Sequence, residues 1–84
     1  MTSRPVVTLY GRAGCHLCED ALLTLRELAP SLRFEIEEVD IESDEALLQR
    51  YVFAIPVVAV GEMEIARAPI SAVSLEEALR DALA

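Results

Sequence analysis

The chain of 84 residues has no lysine, no tryptophan and no long apolar run, and it holds only one histidine and two cysteines. With lysine missing, arginine is the whole basic complement: seven residues against 15 acidic ones, for a net charge of −8. Nucleic-acid backbones are bound by clustered positive charge, so this balance excludes that class of partner. It also offers no polybasic handle for anionic lipid. The negative excess has two readings: it serves solubility, or it gives a preference for basic partners. No segment approaches the roughly 20 apolar residues that span a bilayer. The opening stretch, MTSRPVVTLYG, has no separate apolar segment ending in a small-residue cleavage site, so the expected location is the cytoplasm. In a reducing compartment a pair of cysteines serves catalysis or metal binding more often than structure.

What is present is 54% apolar and free of repeats, linkers and low-complexity tracts, so residues 1–84 are expected to fold as one domain. PVVTLY (Pro5 to Tyr10) is β-branched and apolar on both faces, as a buried central strand is. Gly11 and Gly14 then punctuate a loop. From His16 to Ala29 the apolar residues Cys18, Ala21, Leu22, Leu25, Leu28 and Ala29 recur at helical spacing, with Pro30 just past the expected end. RFEIEEVDI (Arg33 to Ile41) reads as a second strand with one wet side. There Glu38 breaks the alternation, as a bulge or an edge would. Ser43 is the expected N-cap of a short helix to about Tyr51. PVVAV (Pro56 to Val60) and MEIAR (Met63 to Arg67) form a hairpin around Gly61-Glu62. Ser74 and Glu77 have the spacing of a capping box ahead of a last helix. The order is β-α-β-α-β-β-α. It predicts an α/β fold with a mixed four-stranded sheet and helices on its faces.

The chemistry concentrates in GCHLCED, residues 14–20, which holds both cysteines and the histidine. The pair can close a disulfide, hold a metal or fill a core. Cys15 falls at the start of the helix, where unpaired N–H groups and the helix dipole favour a thiolate. Cys18 is one turn further in. This arrangement suits dithiol–disulfide exchange, with Cys15 attacking a substrate disulfide and Cys18 resolving the mixed disulfide. Zinc wants four ligands, and the chain offers Cys15, Cys18 and at best His16, so no resident metal and no cofactor is expected. A shared Fe–S or metal site between chains is the alternative, as is a redox-silent protein-binding module. His16 has two readings: an imidazolium that stabilises the Cys15 thiolate, or an exposed residue with no part in the chemistry. Glu19 and Asp20 suit the first helical turn but oppose thiolate formation, so a moderately acidic Cys15 is expected.

LYGRAGCHLCEDALLTL resembles the active-site segment of glutaredoxins and other small thioredoxin-fold proteins, and AIPVVAV resembles their Val/Ile-Pro signature at the third strand. The resemblance covers nearly the whole chain and is nearest to short, bacterial-type glutaredoxin-like proteins. It implies a glutaredoxin-type, thioredoxin-like fold of sheet order 2-1-3-4 and a thiol–disulfide oxidoreductase. Cys15 would be the nucleophile and Cys18 the resolving thiol. Pro56 would be a cis-proline facing the pair, with the Ile55 backbone pairing an extended substrate. Tyr10, Arg12 and His16 complete the implied substrate-binding set. Substrates would be a disulfide-containing protein or a small thiol.

Two departures qualify the match. The Gly-Gly pair and acid that hold glutathione are replaced here by Ala66, Arg67, Ala68 and Pro69, so glutathione is expected to bind weakly. Thioredoxins place Trp before the first cysteine and a buried acid–base pair beneath it. This chain has no Trp, no Lys and no acid in the first strand.

Overall fold

In the computed structural model, which describes residues 4–84, the central strand is β1 (Val6–Gly11). Met1 to Ser3, part of the stretch read as lacking a leader, lie outside the described residues. β1 pairs in parallel with β2 (Glu35–Asp40) on one side and antiparallel with β3 (Val57–Val60) on the other. β4 (Met63–Arg67) closes the sheet against β3, giving the order β2-β1-β3-β4 that the family resemblance implied. The helices are α1 (His16–Leu32), α2 (Glu45–Tyr51) and α3 (Ala72–Leu83), with a single 3-10 turn at Ile41–Ser43 before α2.

Strand alternation sorts the core into two layers, because successive side chains on a strand point to opposite faces. Val7, Leu9 and Val58 bury themselves with Ala21 and Leu25 of α1 and Leu75 and Leu79 of α3. Tyr10 and Val57 face the other way, against Ile41 and against Leu47, Leu48 and Tyr51 of α2. A buried leucine is worth roughly 1.5–3 kcal/mol over an exposed one, so the larger first layer supplies most of the cohesion.

Three local expectations are corrected, and one left open between two readings is resolved. α1 does not stop before Pro30; it contains it. The proline withholds one N–H from the Arg26 carbonyl. Yet Leu28, Ala29 and Leu32 pack on the core and carry the helix onward. Arg33 then turns left-handed (φ 58°) and donates its N–H to the Ala29 carbonyl at 2.8 Å. The cap of α2 is Asp44, which accepts from the Ala46 N–H at 2.8 Å, because Ser43 is used in the 3-10 turn capped by Asp40. The capping box of α3 is Ser71 with Ser74, one turn earlier than Ser74 with Glu77. Glu38 marks an edge strand with unbroken pairing; the irregular register lies in the β3–β4 pair, between Val58 and Ala59.

Candidate active site

Gly14, with φ at 77°, turns the chain from β1 into α1, a conformation that side chains other than glycine rarely adopt. Cys15 then becomes the N-cap of α1. Its Sγ accepts the backbone N–H of Cys18 at 3.1 Å, so the helix start already supports electron density on that sulfur. Cys15 and Cys18 are joined by a disulfide, with their Cα atoms 5.2 Å apart. Cys15 is half-buried and Cys18 is buried. Beneath Cys18 lies the end of β1: a Cβ placed on Gly11 would come within 3.1 Å of both the Cβ and the Sγ of Cys18. The backbone of Gly11 therefore forms the floor of the site.

The register of the sheet brings Pro56 to the same end. Tyr10 pairs with Val57, so Gly11 and Pro56 are the next positions along the two antiparallel strands. The Ile55–Pro56 bond is cis, as is Ala68–Pro69. Pro56 is buried and Ile55 half-buried. The Ile55 N–H is already donated to the Tyr51 carbonyl at 3.1 Å. Strand-like pairing of a substrate with Ile55 is thereby narrowed to its carbonyl.

The other residues singled out from the sequence divide clearly. The His16 side chain is 85% exposed, with Glu19 at 4.0 Å and Asp20 at 3.9 Å. Arg12 pairs with Glu42 at 3.0 Å. Tyr10 is half-buried and stacks on Tyr51, ring centroids 4.8 Å apart. A cleft of about 330 Å³ opens beside Cys18, lined in part by Leu22, Val39, Glu19, Glu38 and Asp40. Among the described residues, no group of three or more His, Cys, Asp and Glu is arranged to hold a metal ion.

Two residues that the sequence reading passed over stand next to this site. Tyr51, only 3% exposed, donates its hydroxyl to Glu64 Oε1 at 2.8 Å. The other oxygen of Glu64 takes a hydrogen bond from Arg67, and Arg50 approaches Oε1 at 3.7 Å while lying over the Tyr51 ring. The bonds from Arg67 and then Tyr51, with the nearby guanidinium charges, hold the Glu64 carboxyl below its ordinary value. Burial, and then the bond to Glu64, pushes the Tyr51 phenol up. The linkage has a definite sign. Stability from Glu64 is complete above the ordinary value of 4.5 and is lost as pH falls through the lowered folded value. Glu64→Gln is therefore expected to flatten the acid limb of stability, read as the denaturant midpoint from neutral to strongly acid pH. An unchanged acid limb would contradict this.

Strand order, the helix-capping cysteine and the cis-proline end of β3 together define a thioredoxin-like fold with a dithiol–disulfide pair at its α1 start. Thioredoxin 1 of Thermosipho africanus shares the fold at 21% identity, with a TM-score of 0.58 over 92% of this chain and 97% of that one. Within that class the chain belongs to the glutaredoxin-like domain family (DUF836), whose profile matches residues 6–80. Two solved structures are more similar. Protein Ne2328 from Nitrosomonas europaea is 32% identical, with a TM-score of 0.74 over 92% of this chain and 93% of its own. Protein XcR50 from X. campestris is 29% identical, with a TM-score of 0.77 over 89% and 96%. A comparison with curated proteins finds no match. Family, fold and the bonded Cys15–Cys18 pair support a redox-type function. No helix of the described residues is long and apolar enough to cross a membrane.

Proposed function

We propose that the protein is a thiol–disulfide oxidoreductase of the cytoplasm, its chain one domain, acting on a disulfide in a protein partner. The observation that carries this reading is the Cys15–Cys18 disulfide on the first turn of α1, with the outer sulfur at the N-cap. In the reduced protein the Cys15 thiolate attacks one sulfur of the substrate disulfide. The other substrate sulfur leaves as a thiolate and takes up a proton. Cys18, as thiolate, then attacks Cys15 Sγ, the mixed disulfide breaks, and the second substrate thiol departs. Two electrons and two protons reach the substrate, and the protein is left with the disulfide seen here. An external thiol or dithiol resets the pair.

Helix geometry supports this division of roles. Cys15 Sγ already receives an N–H and is the more accessible of the two; Cys18 is buried against Gly11. Ile55 and Pro56 would line the substrate side, the Ile55 carbonyl accepting from an extended segment. Tyr10 would act from beneath through its ring stack, and Arg12 and His16 would meet the substrate from the rim.

The direct test counts thiols. The protein should cycle between zero and two free thiols when titrated with dithiothreitol, and should accelerate reduction of insulin by that reagent. A pair that stays closed at every accessible potential, or an insulin rate equal to the background, would overturn the reading.

A further inference from the structure

Between α2 and β3 the chain runs through Val52–Ile55 with no regular structure, and Phe53 is fully exposed. The segment is short, and its backbone is held from two sides. From before it, the Tyr51 carbonyl accepts the N–H groups of Ala54 at 2.8 Å and Ile55 at 3.1 Å. From beyond β4, the Ala68 N–H is shared between the carbonyls of Pro56 at 3.0 Å and Ala54 at 3.3 Å. The two supports are far apart in sequence, yet their side chains converge on one carboxylate. Tyr51 itself and Arg67, the neighbour of Ala68, both hydrogen-bond to Glu64.

From this convergence we infer that Tyr51 and Glu64 are positioning residues, holding the Ala54–Pro56 backbone in place at the disulfide end of the sheet so that it can receive a macromolecular substrate. The inference rests on the oxidoreductase reading for what the segment receives. The hydrogen-bonded frame itself does not depend on that reading. The phenol is buried and its acceptor is charged, which is the setting in which one hydrogen bond matters most. The hydrogen-bond partners of both side chains are one another and Arg67, and the bond to the Cys15 sulfur comes from the Cys18 N–H. Their removal should therefore alter recognition of a long substrate and spare the chemistry. A small disulfide, which meets only the sulfurs, should not register the change.

Tyr51→Phe tests this, because it removes the hydroxyl and keeps the ring stacked on Tyr10. Amide hydrogen exchange should quicken about tenfold or more at Ile55 and Ala68, in keeping with one lost charge-assisted bond. The amide of Leu25, in the other core layer, should keep its rate. With insulin as substrate, KM should rise at least about threefold with kcat little changed. With hydroxyethyl disulfide, kcat/KM should stay the same. Glu64→Gln, at a side chain a quarter exposed, keeps an acceptor and should give smaller effects of the same pattern. Unchanged exchange at Ile55 and Ala68 would overturn the inference, as would equal losses with both substrates. If the wild-type protein reduces neither substrate, the oxidoreductase reading falls, while the exchange rates still decide the frame.

Discussion

Cys18→Ser should accumulate a covalent mixed disulfide on Cys15 when the reduced variant meets a disulfide substrate, and Cys15→Ser should accumulate none. The expectation follows from the unequal settings of the two sulfurs. Cys15 is the N-cap, and the Cys18 N–H points at its sulfur at 3.1 Å. A thiolate there is stabilised by the helix terminus and can be reached. Cys18 is buried, with the Gly11 backbone packed against its Cβ and sulfur. It can reach only a sulfur delivered by Cys15. Removing Cys15 therefore removes the attack itself, and turnover should drop about a thousandfold or more, to background. Removing Cys18 leaves the attack and blocks the release. One round of thiol consumption should then be followed by arrest until an external thiol intervenes. Mass spectrometry of the trapped adduct, followed by peptide mapping, distinguishes the two. An adduct on Cys18 in the Cys15→Ser variant would reverse the assignment.

The elements that place this pair were legible because they are local. Gly14, the cysteine spacing and the apolar stripe of α1 all lie within one short run, and helix start, cap and inner thiol follow from 3.6-residue geometry. The sheet order was legible through resemblance, and β1 as a central strand through its apolar run. The misjudged points are places where a local rule met a competing one. Pro30 ends a helix by propensity, but Leu32 still had core to reach. Ser43 is a good cap, but Asp44, one residue later, is an equally good one once the 3-10 turn has formed. Ser74 does belong to a capping box, as its inner member.

The Tyr51–Glu64 bond was hidden for a different reason. The two residues are 13 positions apart and meet only because the β3–β4 register turns Glu64 toward the end of α2. In sequence, Tyr51 reads as one more apolar residue and Glu64 as the wet position of MEIAR. An aromatic with a hydroxyl at a helix end buried against a sheet was the one available signal, since a buried phenol usually finds a partner. The Ile55 N–H bond to the Tyr51 carbonyl was equally out of reach, because it depends on how the loop folds back.

Glutathione should be a poor substrate, giving a rate in a glutathione-coupled disulfide assay at least about tenfold below that of an ordinary dithiol glutaredoxin. A deficit of about 1.4 kcal/mol in binding is enough. Three potential contacts are already engaged. Arg12 is paired with Glu42 at 3.0 Å, and Arg67 with Glu64. The Ala68 N–H, a backbone donor in the stretch that replaces Gly-Gly, is given to Pro56 and Ala54, and Pro69 has no N–H to give. The cleft beside Cys18 adds Glu19, Glu38 and Asp40 to its lining, and the whole chain carries −8. Glutathione is itself net negative. Salt screens the long-range part of that repulsion over about 10 Å, but not contacts inside the site. The Arg12–Glu42 pair is half-exposed, and such pairs are worth about 0–1 kcal/mol, so opening it is the smaller obstacle. The lost backbone donors are the larger one, since a missing hydrogen bond to a carboxylate costs roughly 1.5–3 kcal/mol. Glu42→Gln separates the two. It releases Arg12 and removes one negative charge, so it should raise the glutathione rate several-fold without restoring it. Rates of an ordinary glutaredoxin in the unmodified protein would show instead that Arg12 and Arg67 exchange their carboxylates for those of glutathione at little cost.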